Sequence, residues 1–245
     1  MNELTQYVKL TKVKVSCKNC SLAELCLPRG LDRAEVEQLD HIVQRRRLLK
    51  RGEHVFRQGD NPACLYAVRT GSLKSYIPTE DGAEQILGFH LPGELLGLDA
   101  FETDSHGCAA IALETAGLCT FPLSQLEETC RLCPSLQQQM LKVIAREVAA
   151  DHKMLLLLGR KTAEQRLATF LLSLSRRFKS RGFSAKEFNL SMPRHDIGNY
   201  LGLAVETVSR LLSRFQEEGL LAVRRRHVRI RDINRLHTLA NISVA

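Results

Sequence analysis

Residues 191–210 read Ser191-Met-Pro-Arg-His-Asp-Ile-Gly-Asn-Tyr-Leu201-Gly-Leu-Ala-Val-Glu-Thr-Val-Ser-Arg210, and their periodicity decides the architecture of the C-terminal part of the chain. Ser191 is a candidate helix cap. Pro193, with its fixed φ and missing N–H, suits a first turn, so a helix is expected from here to about Leu201. Gly202 breaks it, and Val205 to Glu217 forms a second helix. Two short helices joined by a glycine-containing turn make a helix-turn-helix. On the second helix Val208, Leu211, Leu212 and Phe215 recur at helical spacing and form an apolar face. Glu206, Ser209, Arg210 and Ser213 occupy the opposite face.

That polar face carries the chemistry needed to read base edges. A glutamate accepts from cytosine N4, an arginine donates twice to guanine O6 and N7, and a serine takes either role. A solvated helix surface shows the same pattern, so charge placement has to separate the two readings. The protein has 245 residues and a net charge of +8; residues 160–245 hold seventeen Lys and Arg against seven Asp and Glu, the rest eighteen against twenty. Positive charge is thus concentrated in the third that holds the two helices, which points to a polyanion partner. Beyond Gly219, the run Leu221-Ala-Val-Arg-Arg-Arg-His-Val-Arg-Ile-Arg231 alternates as a hairpin does. Arg224, Arg225 and Arg226 at its tip are expected to act as a wing that grips phosphates without reading sequence. Double-stranded DNA is the partner these features predict.

N-terminal to this basic unit, Gly159-Arg160-Lys161 is read as a hinge, followed by a helix from Ala163 to Lys179. Ahead of it lies a helical stretch from Pro134 to about Leu158. Leu141, Ile144, Val148, Asp151, Leu155 and Leu158 fall there at alternating steps of three and four, a seam about three heptads long. The seam serves a two-stranded coiled coil in a homodimer, or packing of the helix on its own domain. Between about 47 and 127, short alternating runs are separated by turn residues. Strands are expected at Leu65 to Val68, Leu73 to Tyr76 and Gln85 to Phe89, and the spacing predicts an antiparallel barrel or double-sheet roll. Asp32 with Glu35 makes a capping box for a short helix whose buried stripe is Val36, Leu39, Ile42 and Val43. The expected organisation is α+β: an N-terminal segment (1–30), a sensory β-roll (31–133), a dimerisation helix (134–159) and a winged helix-turn-helix (160–245).

Eight cysteines stand in a chain with no secretory signal pattern and no run approaching the ~20 apolar residues of a membrane span. A cytoplasmic setting without membrane attachment is expected, where thiols serve as metal ligands or small buried hydrophobes rather than as a disulfide framework. Cys17, Cys20 and Cys26 place three soft ligands within ten residues. Zinc and iron-sulfur clusters both accept thiolates and usually take four ligands. Cys64, Cys108, Cys119, Cys130 and Cys133 are all candidates for the fourth, and spacing does not choose among them. A glycine-rich phosphate loop with lysine, a zinc-protease helix motif and a nucleophile-base set are all lacking, which argues against an enzyme.

With these motifs in view, the chain resembles the FNR-type regulators, oxygen sensors of the cyclic-AMP receptor protein superfamily. The resemblance rests on Cys17-x2-Cys20-x5-Cys26, Leu113-Glu-Thr-Ala-Gly-Leu-Cys119, Arg177-Phe-x2-Arg181-Gly-Phe-Ser184, and the helix-turn-helix from Asp196 to Arg210. It implies a cyclic-nucleotide-binding-like roll, a 4Fe-4S cluster with Cys119 as fourth ligand, and Glu206, Ser209 and Arg210 reading TTGAT-like half-sites of an inverted repeat. It also implies contacts with RNA polymerase around Gly82 and Thr70. Where cyclic-nucleotide-binding relatives carry an Arg-Ser pair for the phosphate, this chain has Gly107 and Cys108, so no cyclic nucleotide is expected. Cys130 and Cys133 lie outside the ligand pattern. The competing expectation is a structural zinc in the same cysteines.

Overall fold

The structure is a computed structural model that describes residues 16–102 and 104–241. Residues 1–15 of the expected N-terminal segment and 242–245 of the expected C-terminal unit lie outside the described residues.

Two single-turn 3-10 helices, Cys17–Asn19 and Ala23–Leu25, carry the cysteine-rich segment into α1 (Arg33–Ile42). The predicted capping box is present: Glu35 N donates to Asp32 Oδ1 and Asp32 N to Glu35 Oε2, both at 2.9 Å. Leu39 and Val43 of the expected stripe are buried.

Two antiparallel four-stranded sheets come next. One runs β1 (Gln44–Leu49), β8 (Ala116–Pro122), β3 (Cys64–Thr70), β6 (Leu95–Leu96); the other β2 (His54–Phe56), β7 (Ala109–Ala112), β4 (Leu73–Pro78), β5 (Glu84–His90). Small and branched side chains meet between them, with Val55, Phe56, Val68, Leu73, Ala110, Ala112 and Leu118 in one cluster. This is the double-sheet roll the alternation predicts. In this strand order β5 is an edge strand, with a row of backbone groups to satisfy from elsewhere.

The roll closes on α2 (Leu123–Leu132), a helix that the strand-rich reading of 47–127 does not foresee, and then on α3 (Pro134–Arg160), whose proline sits in the first turn. The expected hinge moves by two residues. Gly159 and Arg160 stay helical, and the chain turns extended at Lys161 because Thr162 and Gln165 form a capping box that starts α4 (Ala163–Ser180). α5 (Arg194–Leu201) and α6 (Val205–Glu217) are the expected pair, but Ser191 is not the cap. Pro193, extended at φ −70° and ψ 162°, occupies that position without a side-chain bond. A three-stranded sheet, β10 (Leu221–Arg224), β11 (His227–Ile230), β9 (Glu187–Asn189), and α7 (Ile233–Leu239) complete the C-terminal unit. Among the described residues no helix is long and apolar enough to cross a membrane.

The largest apolar cluster joins the two halves. Ile86, Phe89, Leu91 and Leu113 of the roll share it with Leu167, Phe170, Leu171, Ile197, Leu211 and Phe215 of the C-terminal unit.

Candidate nucleic-acid interface and cysteine site

α5 ends at Gly202, which has φ +61° and ψ 44°, and the backbone reverses through Gly202 N to Asn199 O and Leu203 N to Gly198 O. A left-handed residue here costs a non-glycine side chain about 1–2 kcal/mol, so the glycine is what lets the chain turn from α5 into α6. Val208, Leu211, Leu212 and Phe215 of α6 are all buried, as the periodicity predicts. Glu206, Arg210 and Ser213 are exposed and Ser209 is half-exposed. The polar face therefore stands in solvent, and its side chains are lightly tied: Arg210 Nη2 lies 3.4 Å from Thr207 Oγ1, and Arg194 Nη1 lies 3.3 Å from Ser209 Oγ. Arg214 anchors the helix from behind, pairing with Glu164 of α4 at 2.6 Å and Glu218 at 3.0 Å.

The wing is a tight hairpin in which Val223 pairs with Val228 and Arg224 with His227. Arg224, Arg225 and Arg226 are exposed at its tip, and Arg225 takes φ +54°. Three guanidinium groups thus crowd one turn with no acidic partner among the described ion pairs, an arrangement suited to phosphates.

Cys17, Cys26 and Cys119 border one apolar cluster, built on Leu27, Leu39, Leu65, Phe121 and Leu126. Cys17 N donates to Asp40 Oδ1 at 2.7 Å, fixing the loop to α1, and Gln139 Nε2 of α3 donates to Cys26 O at 3.4 Å. The Cys17 thiol is pushed up to about 12 by burial, then by Asp40, Cys26, Cys119 and Cys20. Burial likewise raises Cys26 to about 12, with Cys119 and Cys20 adding to it. Cys17 and Cys26 therefore feel the charge of the other expected ligands at one edge of the core. They are not drawn into a closed ligand set: among the described residues, no three cysteine sulfurs lie within 4.8 Å of one another. A single tetrahedral zinc would hold them at about 3.8 Å, given Zn–S of ~2.3 Å. The donor set, four thiols whose thiolates repel one another until a cation joins them, fits a soft metal group. Cys133 is a buried member of the same cluster, its sulfur 2.5 Å from Gln38 Oε1, and Cys130 packs on that cluster as well.

Glu84, His195 and Asp196 do approach within 4.8 Å. Lys74 fills that position, bonded to Glu84 and to Asp196 at 3.2 Å, so an ammonium already balances the carboxylates. At the two positions compared with a phosphate-binding Arg-Ser pair, Gly107 N donates to Asp99 Oδ2 at 2.9 Å, and Cys108 lies beside the same carboxylate. Glu94 is occupied by Arg177 and Arg181. Sequence reasoning misses this pairing, although the i, i+4 spacing of the two arginines puts both on one helix face.

On α3, Leu141, Ile144, Val148 and Leu155 are exposed, the first and last by 62% and 69%. Asp151 is exposed on the same face. Leu158, expected on that seam, is instead partly buried against the C-terminal core, because the last turn of α3 packs under Gly202.

Comparison with known proteins agrees with this architecture. The family profile described as a Crp-like helix-turn-helix domain matches residues 165–239, and one described as a cyclic nucleotide-binding domain matches residues 46–132. The chain is 52% identical to the transcriptional activator protein Anr of Pseudomonas protegens, over 93% of each chain. It is 47% identical to the fumarate and nitrate reduction regulatory protein of Escherichia coli, over 92% of this chain and 90% of that one. Among solved structures, FixK2 from Bradyrhizobium japonicum matches with a TM-score of 0.75 at 35% identity, covering 83% of this chain and 99% of that one. The chain thus belongs to the Crp/FNR superfamily, within the group of Anr and the fumarate and nitrate reduction regulators, and is a DNA-binding transcription regulator rather than an enzyme.

Proposed function

We propose that this regulator is oxygen-responsive, with Cys17, Cys20, Cys26 and Cys119 holding a 4Fe-4S cluster whose presence favours a DNA-binding homodimer. The observation that carries the reading is that Cys17 and Cys26, from one loop, border the same apolar cluster as Cys119 of β8, with Cys20 on that loop between them. Similarity to proteins named fumarate and nitrate reduction regulators supports it. When bound, such a cluster supplies reactivity toward oxygen; the chain's own residues convert loop order into DNA binding. Thiolate ligation would hold residues 17–26 against β8 and, through Cys26 O and Gln139, against α3. Positioned α3 helices would then pair through Leu141, Ile144, Val148 and Leu155, presenting two α6 helices to half-sites about one helical turn apart. Glu206, Ser209, Arg210 and Ser213 would read bases, while Arg224, Arg225 and Arg226 hold phosphates. RNA polymerase would be met around Gly82 and Thr70, both exposed. Occupation of Glu94 by two arginines supports the absence of a cyclic-nucleotide ligand.

Asp151 interrupts the apolar face, and two such carboxylates across a dimer repel by about 2 kcal/mol when partly desolvated. Asp151→Ala is expected to tighten dimerisation roughly 30-fold and to give DNA binding in air, where the unaltered chain binds only when prepared anaerobically. Sedimentation and fluorescence anisotropy on both proteins, with and without air, check this. Equal binding by the unaltered chain in both atmospheres would remove the oxygen-responsive reading, and a monomeric Asp151→Ala chain would remove the role assigned to the seam.

A further inference from the structure

The C-terminal unit is bolted to the roll through one turn. Glu94, at the end of the Leu91–Glu94 reversal, accepts from Arg177 Nε at 2.9 Å, Arg177 Nη2 at 2.5 Å, Arg181 Nη2 at 2.6 Å and Leu91 N at 2.9 Å. Four donors saturate a carboxylate. The same two arginines donate to the backbone just before it, Arg177 to Phe89 O at 2.5 Å and Arg181 to Pro92 O at 2.7 Å. Arg181 is 3% exposed and Arg177 and Glu94 about a quarter exposed, so this is a partly buried grip, bidentate from Arg177, rather than a fully solvated surface pair.

The edge of β5 is closed by the same unit. Asn199 of α5 accepts from Ile86 N at 2.7 Å and donates to Glu84 O at 2.5 Å, standing in for a missing strand. Phe89 packs edge-on against Tyr200 and Phe170, at ring separations of 5.2 and 6.0 Å. These contacts are made by α4 and α5, and Glu206, Arg210 and Ser213 of α6 remain exposed. The dock orients the reading face without covering it.

The turn also touches the cysteine loop. Gly93 has φ +90°, and a Cβ built there would lie 2.8 Å from Leu25 Cβ, so the loop residue next to Cys26 rests directly on the glycine. From Leu25 to Gly93, Glu94 and then Arg177 and Arg181, the chain of contacts is continuous.

We propose that Glu94 is a positioning residue for DNA recognition: through it and α4 the turn at Gly93 transmits the placement of the cysteine loop to the helix-turn-helix, within one protomer. The inference rests on DNA reading by α6, and not on which metal group the cysteines hold.

The test compares the unaltered full chain with Glu94→Gln, which keeps shape and loses charge, and Glu94→Asp, which keeps the charge. Both are measured under anaerobic conditions for affinity to an inverted-repeat duplex, for dimerisation by sedimentation velocity, and for amide exchange at 84–90 and 194–201. Glu94→Gln is expected to bind the duplex about tenfold more weakly, within the usual range of site-to-site coupling, with unchanged dimerisation and faster exchange in both segments. Glu94→Asp should recover most of the affinity. Unchanged affinity and exchange in Glu94→Gln would overturn the proposal. So would parallel loss of affinity and dimerisation, which is the signature of a damaged roll. Exchange is also read in air, where no cluster is needed, so failure there is distinct from failure of the oxygen-responsive reading. Leu25→Ala should speed exchange at 194–201 in the same assay; no change would break the link from the loop.

Discussion

Arg210→Ala is expected to weaken binding to the specific duplex by about 5- to 150-fold, the 1–3 kcal/mol of one bidentate base contact, and to relax discrimination at a single base pair. The guanidinium is exposed in the second turn of α6 and has one weak internal tie, at 3.4 Å to Thr207, so little is lost in the free protein when it is removed. Arg225→Ala should behave differently. From the tip of the wing it reaches phosphate, so its loss should weaken all sequences alike and lower the salt slope by about one. Anisotropy titrations against specific and scrambled duplexes at several salt concentrations separate the two. If Arg210→Ala lost equal affinity for both duplexes, it would be a phosphate contact and the assignment of the reading face would fail.

Phe215→Ala is expected to cost about 3–5 kcal/mol of stability, the usual range for deleting a buried aromatic ring. Phe215 is 0% exposed, and its cluster contains residues of α4, α5, α6 and the wing together with Phe89 and Leu91 of the roll. A typical domain has about 5–15 kcal/mol to lose, so the C-terminal unit should approach its unfolding threshold and the dock on β5 should weaken with it. Urea denaturation followed by circular dichroism measures the change. A loss under about 1 kcal/mol would mean that the cavity collapses at little cost, contrary to the close packing that holds α6 in place.

What the sequence makes legible depends on the range of each interaction. α6 and the hairpin after it are readable because their signals are local: an amphipathic period, a glycine break, an alternating run. The capping box at Asp32 is legible for the same reason. α2 is not, since Leu123, Leu126 and Thr129 supply a single short stripe immediately after a strand, and nothing in the alternation of β8 announces the change. Ser191 misleads because it has the chemistry of a cap, whereas proline's own geometry sets the start of α5. Leu158 fits the heptad spacing equally well, and tertiary contact with the C-terminal unit takes it out of the seam. The grip of Arg177 and Arg181 on Glu94 spans more than eighty residues, beyond the reach of any periodicity. Three of the four thiols are legible from spacing; Cys119 enters through resemblance, and its proximity to Cys17 and Cys26 is a property of the folded roll.

Cys17, Cys20, Cys26 and Cys119 are proposed to hold an iron-sulfur cluster. Iron and acid-labile sulfide analysis of the chain purified without air, with the visible spectrum recorded on the same sample, tests it most directly when done beside Cys119→Ser. The expected result is a brown protein with about four iron and four sulfide per chain, both lost in Cys119→Ser. A colourless, zinc-containing protein, or a Cys119→Ser chain that keeps its full iron and sulfide, would contradict it.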